Sequence, residues 1–90
     1  MTKFRKALTT YSDYYEMMSD EIRMKNFREA IFATVSEGDV VLDLGSGLGI
    51  LGFWALEAGA SKVYAVEKSD AIFLAKDLAK KNNFYDRIEF

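Results

Sequence analysis

Val40-Val41-Leu42-Asp43-Leu44-Gly45-Ser46-Gly47-Leu48-Gly49-Ile50-Leu51 decides the fold. Val40 to Leu44 is a short, almost wholly apolar run, the pattern of a central parallel strand covered on both faces. Asp43 sits near its end, three alternating glycines follow, and an apolar helical pattern then begins. Gly45 suits the sharp turn off the strand, Gly47 a close approach of ligand to main chain, and Gly49 close packing of the helix start on the strand. The helix N-terminus then offers backbone N–H groups and the positive end of its dipole.

Outward from this turn, Leu48 to Ala58 reads as a helix, with Ile50, Leu51, Trp54, Ala55 and Ala58 on one side. Lys62 to Val66 is a second strand, ending at a second acid, Glu67. Ser69 and Asp70 cap another helix that ends at Asn82-Asn83, and Arg87 to Phe90 opens a third strand. Upstream, Ser19 or Asp20 caps a helix whose apolar face is Ile22, Met24, Phe27, Ile31 and Val35. Gly38 suits the left-handed position at its exit. The resulting order, a helix followed by β-α-β-α-β, is a parallel, right-handed crossover unit.

Composition limits what the chain can do. Ninety residues form one domain at most, and with half of them hydrophobic the chain is not of the disordered class. There is no cysteine, hence no disulfide and no thiolate metal site, and no histidine, so the commonest general base and metal ligand are missing. A net charge of −2 carries no nucleic-acid footprint; Lys3-Arg5-Lys6 and Lys80-Lys81 read as solvated surface. No apolar run has signal-peptide or membrane-spanning character, so a cytoplasmic location is expected.

The two acids narrow the ligand. Asp43 beside the loop would repel a pyrophosphate but suits a ligand with a cationic amino-acid end. Glu67 could accept both hydroxyls of a ribose. The plainer readings are a buried acid bracing the loop N–H groups for Asp43 and a surface strand-end acid for Glu67. A shifted dinucleotide fingerprint, Gly47-Leu48-Gly49-Ile50-Leu51-Gly52, also fits G-x-G-x-x-G. Register argues against it: Gly45 directly follows the strand, and counted from there the third fingerprint position is Ile50.

Asp43-Leu44-Gly45-Ser46-Gly47-Leu48-Gly49 with Val63-Tyr64-Ala65-Val66-Glu67 resembles the first two motifs of class I S-adenosylmethionine-dependent methyltransferases. Glu16-Met17-Met18-Ser19-Asp20-Glu21-Ile22-Arg23, Phe27-Arg28-Glu29-Ala30-Ile31, Gly49-Ile50-Leu51 and Ala58-Gly59-Ala60 are similar to the protein arginine methyltransferases in particular. The resemblance covers roughly residues 11–90. It implies an α/β, Rossmann-like fold, present as a partial parallel sheet of order 3-2-1 with flanking helices. Residues 1–38 would form an N-terminal helical segment, and residues 39–90 the first half of the S-adenosylmethionine-binding domain.

The implied cofactor is S-adenosyl-L-methionine, and its implied contacts are Met17, Arg23, Asp43, Gly45, Gly47, Gly49, Glu67 and Lys68. Arg23 matches the arginine that holds the cofactor carboxylate, a task for a two-pronged guanidinium. Met17 matches a methionine packed near the reactive methyl. Asp43 and Gly45 match the groups around the amino-acid end, Glu67 the ribose acid, and Lys68 the residue beside the adenosine. The plainer readings are a helix-surface arginine paired with Asp20 or Glu16 and an ordinary core methionine. The family's substrate-binding glutamates lie on a loop after a fourth strand and have no counterpart here, so no residue is assigned a catalytic role and no metal is expected.

Two functions stay open: the cofactor-binding part of an arginine-type methyltransferase, and a non-catalytic S-adenosylmethionine or nucleoside-binding or interaction module. A nicotinamide-binding fragment is the weaker third. A protein substrate is one expectation, and a methyltransferase acting on ribosomal protein, RNA or a small molecule stays open beside it, since fold does not fix substrate. With strand one at the edge, a fragment or truncated relative is expected, self-associating through that edge if it folds alone.

Overall fold

The computed structural model describes residues 20–90. Helix α1 spans Glu21–Thr34. Asp20 caps it, its Oδ1 accepting the Arg23 N–H at 3.1 Å, which satisfies one of the unpaired donors of the first turn. The C-cap of α1 is Val35, in extended conformation, so the left-handed cap expected at Gly38 does not end the helix, although Gly38 does take a left-handed φ of +85° in the turn beyond it. That turn is tied down at its far side. The Gly38 N–H donates to the Gly59 carbonyl at 2.8 Å, the Ser61 N–H to the Asp39 carbonyl at 2.8 Å, and the Ser61 hydroxyl to the Gly38 carbonyl at 2.9 Å. These bonds set the starts of the first two strands side by side.

Strand β1, Val40–Leu44, pairs in parallel with β2, Lys62–Val66, from Val40 opposite Lys62 to Leu44 opposite Val66. Strand β3, Ile88–Glu89, lies on the other side of β2, Val63 opposite Ile88. The sheet order is β1-β2-β3, as expected, with β1 at an edge. Helix α2, Ile50–Glu57, joins β1 to β2, and α3, Ala71–Lys81, followed by a 3-10 turn at Tyr85–Arg87, joins β2 to β3. Helix α2 begins two residues later than the apolar pattern suggests, because Gly49 takes a left-handed φ of +89° and serves as its N-cap.

The core lies between the sheet and the helices. Phe53, Ala55 and Leu56 of α2 meet Val63 and Ala65 of β2, Ala79 of α3 and Ile88 of β3. Alanines at Ala71, Ala75 and Ala79 give α3 a flat buried stripe at helical spacing. The Phe53 ring stacks on Phe84 with centroids 5.1 Å apart, closing the core at the exit of α3. Ile31 of α1 and Val35 just beyond it pack on this cluster, whereas Ile22 is 76% exposed and Phe27 remains at the surface.

One expectation fails. Strand β1 has the composition of a strand covered on both faces, yet Val40, Leu42 and Leu44 are 64, 60 and 72% exposed. Tyr64 and Val66 of β2 continue the same open face. The cause is topological. Successive right-handed crossovers that step in one direction across a sheet put their helices on one side, and β1-α2-β2-α3-β3 steps in one direction throughout. Apolarity therefore records what the strand can bury, and connectivity determines which face is buried.

The difference between the faces is measurable. Val63 is fully buried, so Val63→Ala removes two methyl groups from packed surroundings and lowers stability by about 2 kcal/mol. Leu42→Ala, on the open face, costs well under half of that. Urea denaturation of the two variants checks the contrast.

Candidate ligand site at the glycine turn

The turn after β1 is held by β2 rather than by its own side chains. The Gly45 and Ser46 N–H groups both donate to the Val66 carbonyl, at 2.8 and 3.0 Å. The Gly47 N–H donates to Glu67 Oε1 at 2.7 Å, and the Ser69 N–H to Glu67 Oε2 at 3.0 Å. The Gly49 N–H returns to the Ser46 carbonyl at 2.9 Å. Two consecutive residues at the exit of β2 thus take the N–H groups of Gly45, Ser46 and Gly47. Such a path requires left-handed backbone at Gly45, Gly47 and Gly49, at φ of +69°, +56° and +89°.

Close packing is divided between two glycines. A Cβ at Gly49 would lie 3.1 Å from the Phe53 ring and 3.7 Å from Ala75 of α3, so this position is crowded by the helices. The tight approach to the sheet, expected from sequence at Gly49, occurs at Gly52. A Cβ there would lie 3.1 Å from Val63 Cγ1 and 3.7 Å from Asp43 Oδ2. Gly45 does follow the strand directly, as the register argument holds. The third glycine of the shifted pattern nevertheless lies against the sheet, at Gly52.

The two acids occupy different electrostatic surroundings. Asp43 is partly buried under α2, and its Oδ2 is shielded from solvent without a hydrogen-bond partner. Burial raises its pKa above the usual carboxylate range, the nearby Glu67 charge raises it further, and the Gly52 N–H offsets part of this. Glu67 is shifted the other way. Burial would raise its pKa, but the Ser69 side chain and N–H, the Gly47 N–H and the Lys68 charge outweigh burial and hold it below the usual range. The bracing role that the plainer reading gave to Asp43 is performed by Glu67. Ser46 Oγ is a second buried polar atom without a partner.

Asp43, Gly45, Gly47, Gly49, Glu67 and Lys68 meet at the C-terminal ends of β1 and β2, where open α/β sheets bind ligands. Arg23 stands apart on α1, exposed, with its guanidinium 5.6 Å from the centroid of the Phe27 ring. Among the described residues it has no ion-pair partner, so Asp20 contacts it through the backbone N–H alone. Met17 lies outside the described residues. Gly52, Ser46 and Ser69 were missed by sequence reasoning. The spacing Gly49-x-x-Gly52 could have flagged the first, and Ser69 beside Glu67 was read only as a helix cap.

The family model for ribosomal protein L11 methyltransferase (PrmA) matches residues 27–90. The chain belongs to this family of class I methyltransferases. The match begins after Arg23, and similarity to the protein arginine methyltransferases reaches further upstream. Protein arginine N-methyltransferase PRMT10 of Oryza sativa subsp. japonica is 42% identical over 91 aligned residues, which cover 96% of this chain and 24% of the relative. The crystal structure of Arabidopsis thaliana protein arginine methyltransferase 10 superposes with a TM-score of 0.85 at 39% identity, over 91% of this chain and 24% of that one. The Trypanosoma brucei PRMT1 enzyme–prozyme heterotetrameric complex with AdoHcy gives a TM-score of 0.85 at 36% identity, over 92% and 27%. The chain thus spans about a quarter of the length of these relatives.

The raised pKa of Asp43 has a definite sign in stability. A carboxyl whose folded pKa lies above its unfolded value binds its proton more tightly when folded. Its contribution is complete below the unfolded pKa and is lost as pH rises through the folded one. Asp43→Asn removes this loss, so its urea midpoint exceeds that of the wild type at pH 7, and the gap narrows as the medium is acidified through the carboxylate range. A midpoint for Asp43→Asn that runs parallel to the wild type at every pH would contradict the assignment.

Proposed function

We propose that this chain forms the cofactor-binding part of a methyltransferase of the protein arginine type, with S-adenosylmethionine held at the glycine turn. The observation that carries the reading is the pair of acids at adjacent strand ends around a preformed loop, one with a buried oxygen still lacking a partner. This acceptor set suits a ligand that brings hydroxyls and a cationic group, and opposes one that brings a pyrophosphate. The AdoHcy of the trypanosomal complex supports the same ligand class.

In this reading Glu67 accepts from the ribose hydroxyls, using lone pairs that the loop N–H groups leave free. Asp43 and Ser46 face the amino-acid end, and Gly45, Gly47 and Gly49 keep the main chain bare of side chains there. Lys68 lies beside the adenosine. Arg23 supplies the guanidinium for the cofactor carboxylate. The cofactor, when bound, supplies a methyl group on a sulfonium, already a strong electrophile. The chain's residues orient it; none is assigned proton removal from a substrate. A non-catalytic binder of the same ligand is the second reading.

Calorimetric titration with S-adenosylhomocysteine tests the proposal. The expected result is micromolar binding by the wild type, weakened at least about tenfold in Glu67→Ala and in Arg23→Ala. A folded wild-type chain that binds nothing would overturn it. Methyl transfer to an arginine-rich peptide separates the enzyme from the binding module.

The partner proposed is a second copy of the chain, in addition to a protein substrate. Strand β1 has β2 on one side only, and its edge adjoins the exposed Val40, Leu42 and Leu44. A two-fold contact would pair β1 with its mate in antiparallel fashion, removing the unpaired edge. The heterotetrameric assembly of the trypanosomal neighbour supports a tendency to associate. Light scattering is expected to give at least a dimer, shifted toward monomer by Leu42→Lys; a cooperatively unfolding monomer at high dilution would sink the assignment.

A further inference from the structure

We infer that Glu67 clasps the glycine loop in place before any ligand arrives, a positioning role separate from contact with the ligand. It is carried by geometry. Gly47 and Glu67 are 20 residues apart, yet their contact, at 2.7 Å, is a short N–H to carboxylate bond. The other carboxylate oxygen is held by the Ser69 N–H at 3.0 Å, so the side chain is anchored at the β2 exit while it grips the loop. The Val66 carbonyl holds Gly45 and Ser46 from the preceding residue. Gly47 itself is buried and left-handed, inside a turn that the Gly49 N–H closes onto the Ser46 carbonyl and that Glu67 ties to the exit of β2.

The clasp has a chemical requirement. Both contacts are made by N–H donors, so both positions on residue 67 must be acceptors. A carboxylate satisfies this and an amide does not, because its NH2 would face one of the two donors. A side chain that only contacted a ligand would leave Gly47 unprotected in the free chain. One that only capped the Ser69 turn would leave Gly47 indifferent to residue 67. The clasp goes beyond the cofactor reading and can fail independently of it.

The test is amide hydrogen exchange followed by NMR on the ligand-free 90-residue chain. The expected result is a protected Gly47 amide in the wild type, losing at least about tenfold of its protection in the isosteric Glu67→Gln variant while the β1–β2 ladder keeps its own. Equal Gly47 exchange in the two proteins would overturn the clasp. If the variant loses ladder protection as well, the wild type decides by acid titration of the Gly47 amide shift. Glu67 faces the Asp43 carboxyl of β1 and the adjacent Lys68, so the titration is repeated in Asp43→Asn. A Gly47 shift that moves below the usual carboxylate range in both proteins supports the clasp, and one insensitive to pH overturns it. Calorimetry with S-adenosylhomocysteine separates the two proposals. Binding without a clasp leaves the cofactor reading standing, and a clasp without binding removes that reading alone.

Discussion

The structure around the site depends on how one strand end satisfies the N–H groups of another. A left-handed glycine turn exposes its donors in sequence, and donors near a protein core must find acceptors. Val66 and Glu67 provide them at the exit of β2, one through a carbonyl and the other through a carboxylate. Parallel pairing of Leu44 with Val66 brings those acceptors opposite the turn, so the register of the sheet and the shape of the loop are the same constraint. A slip of one residue would turn every side chain of the strand to the opposite face and break the grip on the loop.

The same arrangement explains why two acids, similar in sequence, differ in character. Glu67 lies beyond the strand, where backbone N–H groups and Lys68 stabilise its charge. Asp43 lies within the strand, on the face under α2, where burial and the neighbouring carboxylate work against its charge. One acid organises the loop and the other keeps an unmet electrostatic demand. Gly52 makes that proximity possible, since a side chain there would crowd Val63 and approach Asp43.

Topology accounts for the open face. Both crossovers run the same way across the sheet, α2 and α3 cover one side, and α1 joins them as its Ile31 and the following Val35 pack on the same core. The apolar row from Val40 to Leu44 on the other side follows from that handedness. The edge of β1 and this row adjoin one another.

Much of this was legible in the sequence. The strands at Val40–Leu44 and Lys62–Val66, the parallel order, the cap at Asp20, the left-handed Gly38 and the glycine turn all follow from local rules, because strand apolarity, capping and left-handed backbone are properties of a few neighbouring residues. The grouping of Asp43, the glycines, Glu67 and Lys68 was legible too, since two parallel strands in register must end together. Other features depend on contacts between residues far apart. The sequence marks Gly49 and Gly52 alike as glycines, and only the packing of α2 on Val63 shows which one approaches the sheet. It marks Asp43 and Glu67 alike as acids, and only the placement of the Gly47 N–H shows which one braces the loop. Local chemistry determined the elements and their order; the tertiary structure decided which face stayed bare and which carboxylate was held, because burial and hydrogen-bond partnership belong to pairs of segments brought together by folding.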